Sequence, residues 1–77
     1  MNKARRAILN KIINQITDLK SELESVKDDE ESAMENVPES MQESDRYCAM
    51  EDAVNNMDDA IDELEDVIDY LEEAMNV

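Results

Sequence analysis

From Tyr47 to Met75, apolar residues recur with an unbroken spacing of three and four: Tyr47, Met50, Val54, Met57, Ile61, Leu64, Ile68, Leu71 and Met75. Such a spacing returns to one side of a helix every two turns, which makes it a heptad seam. Tyr47, Val54, Ile61, Ile68 and Met75 occupy its a positions, and Met50, Met57, Leu64 and Leu71 its d positions. Most of the other side chains of this segment are Asp, Glu or Asn. The pattern predicts an amphipathic helix that must cover one face, and points to work done with a surface rather than a pocket.

A second seam occupies the first half of the chain. Leu9, Ile12, Ile16, Leu19, Leu23 and Val26 alternate by three and four, with Ile8 and Ile13 widening the stripe. Pro38 is the single strong breaker. It disfavours helical geometry at Val37 and suits the first turn of a new helix. We therefore expect helix 1 over residues 3–35, a turn at 36–37 and helix 2 over 38–76, roughly 50 and 58 Å long at 1.5 Å per residue. The chain has no Gly, Phe or Trp, so the turn and strand residues of a β fold are missing. The fold class is all-α: one domain, an antiparallel two-helix coiled-coil hairpin. A fold at 36–37 sets Val26 near Tyr47, Leu19 near Val54, Ile12 near Ile61 and Leu9 near Leu64. It also lays Arg5 and Arg6 near Glu65, Asp69 and Glu72.

Helix 2 is internally repetitive. EDAVNNM, DDAIDEL, EDVIDYL and EEAMNV are successive copies of one heptad. The repeat creates a second apolar column, Ala53, Ala60, Val67 and Ala74, which a two-helix hairpin does not need. A chain of 77 residues also has little core of its own. We therefore expect the hairpin to form a homodimeric four-helix bundle through Ile8, Ile13, Ala53, Ala60, Val67 and Ala74.

Formal net charge is −15. Residues 1–27 carry six cations against three acids; residues 28–77 carry Arg46 against nineteen acids. An anionic surface of this kind disfavours nucleic acid and anionic membrane as direct partners and favours a basic protein. The acids form a double row on helix 2: Glu51/Asp52, Asp58/Asp59, Glu65/Asp66 and Glu72/Glu73. The row places one acid per about 4 Å of helix, against one charge per about 1.7 Å in duplex DNA. Tyr70 projects from the acidic side, where an aromatic can anchor an interface.

No residue set points to catalysis. Histidine is absent, so Cys48 has no base to activate it and the acids have no imidazole co-ligand. The Asp28–Glu31 cluster lacks the glycine and alternating ligands of a calcium loop. We expect no enzyme activity, no cofactor and no metal. Cys48 reads as a reduced surface thiol of a cytoplasmic protein. The basic start reads as the first turns of a structural helix, and no apolar run is long enough to cross a bilayer.

The segment carrying Asn36, Pro38, Glu39, Gln42, Ser44 and Arg46, followed by acidic heptads, resembles the C-terminal part of short acidic hypothetical proteins of phages and mobile elements of gut bacteria. The resemblance covers about half the chain and, by analogy with small acidic anti-CRISPR and anti-restriction proteins, implies an inhibitor of a host DNA-binding or defence protein. The leading expectation is a non-enzymatic module that docks on a basic protein surface and masks a nucleic-acid-binding site. The alternative is a structural oligomerisation element whose acids only keep it in solution.

Overall fold

A computed structural model describes residues 1–77. Two helices, α1 (Lys3–Glu35) and α2 (Asp45–Met75), pack side by side as a helical hairpin. They run antiparallel in a rod whose Cα atoms span 59 × 15 × 12 Å.

Local chemistry sets the ends of each helix. Asn2 caps α1: its side chain accepts a hydrogen bond from the Arg5 backbone N–H at 2.8 Å, satisfying one of the donors that a helix start leaves open. α1 stops at Glu35, two residues short of the Val37–Pro38 pair. Pro38 does not open α2. Its extended ψ of 143° turns the chain away, and its carbonyl accepts from the Met41 N–H at 2.8 Å to start a single 3-10 turn, Glu39–Met41. α2 opens later, at Ser44, whose hydroxyl accepts from the Tyr47 N–H at 3.2 Å. Asp45 then places negative charge in the first turn, where the helix dipole favours it.

The connection therefore runs from Asn36 to Ser44 rather than over residues 36–37, and α2 begins at Asp45 rather than at 38. The longer link moves the pairing as well. Arg6 donates to the Met75 carbonyl at 3.0 Å and Lys20 reaches Glu65 at 3.1 Å. Arg5 and Arg6 thus lie at the end of α2 rather than beside Glu65 and Asp69, and the register is displaced by roughly one heptad from a tight turn at 36–37.

On α2, the interior is the seam. Val54 and Ile61 are buried, and the other seven seam residues are half-buried. On α1, the inward stripe is Leu9, Ile13, Ile16, Lys20, Leu23, Lys27, Glu30 and Met34, again spaced by four and three. Leu9, Ile16 and Leu23 keep their expected place. Ile12, Leu19 and Val26 do not: they are exposed, and Ile13, Lys20 and Lys27 face α2 instead. α1 is rotated about its axis so that its lysine column meets the acidic edge of α2. Only Ile13, Val54 and Ile61 are buried in the whole chain.

Candidate functional site: the faces of the hairpin

The helix geometry sorts the long sides of the rod by chemistry. One hundred degrees per residue places three acid-rich columns of α2 side by side. Glu51, Asp58, Glu65 and Glu72 lie nearest α1; Asp62 and Asp69 come next; Asp52, Asp59, Asp66 and Glu73 lie furthest out. All ten are exposed except Asp58, which is half-buried.

The column nearest α1 is partly neutralised. Lys27 pairs with Asp58 at 2.8 Å and Lys20 with Glu65 at 3.1 Å. Each lysine also lies 3.9 Å from an acid one turn along α1, Glu24 for Lys20 and Glu31 for Lys27. The hydrogen bond that Lys27 donates to Asp58 is the main reason its ammonium is held above the ordinary lysine value; desolvation opposes it, and the charges of Asp58, Glu31 and Asp28 add to it. The lysine stems lie along the apolar seam while their heads reach the acids at its edge.

The outer column has no such partner. Asp52, Asp59, Asp66 and Glu73 form no ion pair, and neither do Asp62 and Asp69 between the two columns. The double acidic row expected from the sequence is therefore two unlike rows, one edged by cations and one bare. Asp62 and Asp69 belong with the bare one; their place in the repeat, one residue past the a position, marks them. No three acidic or cysteine side chains converge to hold a cation, and Cys48 is exposed and free.

Tyr70 is the most exposed aromatic, at 71 %, yet it does not stand among the bare acids. Its column is Ala49, Asn56, Glu63, Tyr70 and Val77, on the side of α2 away from the lysines. There it adjoins the Ala53, Ala60, Val67 and Ala74 column. Tyr47 lies at the loop end, half-buried between Met34 and Val54 on one side and Val37, Pro38 and Met41 on the other.

The side opposite the lysines is apolar. Ile8, Leu19 and Val26 of α1 are each more than half exposed, and Ile12 joins them. Because the helices are antiparallel, this flank of α1 and the Ala53–Ala74 column of α2 turn to the same face. Ile13, expected there, is buried between the helices.

At the open end, α2 has no basic residue in its last turn. Arg6 supplies that cation from α1 through its bond to the Met75 carbonyl, and the Met1 ammonium lies 2.6 Å from a Val77 oxygen. Both interactions place positive charge on the negative end of the helix dipole.

No helix is long and apolar enough to cross a membrane. No known protein family, curated protein or solved structure matches this chain.

Proposed function

We propose that this chain is a non-enzymatic interaction module whose bare acidic column docks on a basic protein surface. The observation that carries the reading is the contrast between the two acid rows. In one row Asp58 and Glu65 are paired with Lys27 and Lys20, whereas Asp52, Asp59, Asp66 and Glu73, with Asp62 and Asp69, are exposed and form no ion pair. Uncompensated like charge along one helix destabilises that helix, and a basic partner would relieve the repulsion. The natural partner is a cytoplasmic protein that binds nucleic acid. Docking there would mask its phosphate-binding lysines and arginines, as an inhibitor from a phage or mobile element would do.

Displacement of labelled DNA from a panel of basic DNA-binding proteins tests this reading. The chain should displace DNA from at least one of them, less effectively as salt rises, because screening shortens the range of exposed charges to about 10 Å at 0.1 M. Asp52→Asn, Asp59→Asn, Asp66→Asn and Glu73→Gln together should abolish displacement with helicity intact. Unchanged DNA binding by every protein tested, in low salt and with excess chain, would overturn the proposal. The exposed apolar face favours a second reading, a structural oligomerisation element. In that case the same four substitutions lower solubility and leave no binding activity to lose.

A further inference from the structure

The rotation of α1 leaves a debt that the hairpin alone does not settle. Turning Lys20 and Lys27 inward exposes Leu19 at 59 % and Val26 at 56 %. A buried Leu or Val side chain stabilises a fold more than an exposed ion pair does. Met34, which also turns inward, offsets part of the difference. The orientation is favourable in full once something covers the outer face.

We propose that the cover is a second copy of this chain, with α1 of each copy lying on α2 of the other about a two-fold axis parallel to the rod. Size complementarity is the first argument. Large side chains on α1 stand level with small ones on α2: Val26 with Ala53, Leu19 with Ala60, and Ile12 with Val67. The Arg6–Met75 and Lys20–Glu65 contacts fix those levels, and rotation about an axis along the rod preserves them. Each large residue of one copy therefore meets the small residue of the other at its own height. Stacking α1 on α1 instead would oppose large with large, and leave alanine facing alanine across a gap.

Charge gives the same answer. α1 holds most of the cations, and α2 holds one cation, Arg46, among its acids. Placing α1 on α2 sets the cation-bearing helix of each copy against the acid-rich helix of the other, whereas α2 on α2 would oppose acids along the whole length. The apolar columns run from Ile8 to Val26 and from Ala53 to Ala74, roughly 27 and 32 Å at 1.5 Å per residue. Ile8 and Tyr70 extend the patch toward the open end, and Tyr70 supplies the aromatic anchor that interfaces favour.

The bare acidic column stays outside this contact, so the dimer and the docking proposed above can stand or fall separately. Salt distinguishes them. Two chains of charge −15 repel, so screening should strengthen the dimer while it weakens docking on a basic protein.

Sedimentation equilibrium at micromolar concentration, in low and in high salt, should show twice the 8.8 kDa chain mass, with the tighter association in high salt. Leu19→Glu and Ala60→Glu, both on the outer face, should each weaken dimerisation by roughly tenfold or more with helicity retained. For the arrangement, a Leu19→Cys chain and an Ala60→Cys chain, each also Cys48→Ser, are mixed under a mild oxidant. The expected product is a disulfide between the two different chains. A monomer in both salts overturns the dimer. Self-linked Leu19→Cys chains, with no mixed product, overturn the placing of α1 on α2.

Discussion

The two helices carry nearly the same apolar spacing and use it differently. In α2, every seam residue from Tyr47 to Met75 faces the partner helix. In α1, alternate members of the equivalent seam, Ile12, Leu19 and Val26, face outward, and two half-buried lysines face α2 in their place. The difference lies in what flanks each seam. α2 has alanines on one side and acids on the other, so its orientation is decided by apolarity alone. α1 has three candidate columns, and the lysine-bearing one is selected by the acidic edge opposite it. Hydrophobic spacing thus defines which arc of a helix is available for burial, and the partner's charge decides which part of that arc is used.

The strongest way to break this contrast is to remove a seam residue from the helix that uses its seam fully. Ile61→Ala should cost about 2–5 kcal/mol, comparable to the whole ~3–5 kcal/mol that a core of this size supplies. Thermal melting followed by circular dichroism should lose its cooperative transition. Next comes Ser44→Ala, which removes the α2 cap. A loss of about 1 kcal/mol is expected, seen as a lower urea midpoint with an unchanged slope.

A smaller effect tests the lysine column. Because Asp58 raises the Lys27 pKa above 10.5, the folded state holds that proton more tightly than the unfolded chain. The resulting stability is fully present below the ordinary lysine range and is lost as pH rises through the raised value. Melting temperature should therefore fall above pH 10.5, and Lys27→Met should flatten that fall more than Lys3→Met does. The smallest change is expected from Leu19→Ala in dilute monomer, within about 0.5 kcal/mol. A loss as large as that of Ile61→Ala would place Leu19 inside the hairpin and remove the asymmetry between the helices.

Much of the fold could be read before any coordinates. The α2 seam and the hairpin topology follow from spacing, one proline and the lack of glycine. The connection did not follow, because Pro38 is a conspicuous signal and Ser44–Asp45 a quiet one. Ser44 caps through a hydroxyl, without the acid three residues on that would complete a capping box; Tyr47 stands there. The register is hidden in the sequence for a deeper reason. α2 repeats one heptad, with an acid beside the seam at Glu51, Asp58, Glu65 and Glu72. Sliding α1 by seven residues would still offer Lys20 and Lys27 an acid each and still match seam to seam. Loop length and caps set the level, not the seam. On the acidic face, composition identified the residues, but only the position of Lys20 and Lys27 separated the neutralised column from the bare one.

The same repetition makes the rod a ruler. Its layers are interchangeable, so its length is free to change in steps while its faces are not. Removing residues 17–23 together with 58–64 would delete one layer from each helix and bring Lys27 to Glu65. The loop, both caps and the Arg6 contact at the open end would be untouched, and the molecule would be shorter by about 10 Å. A chain built this way can change its length without changing the chemistry of its sides.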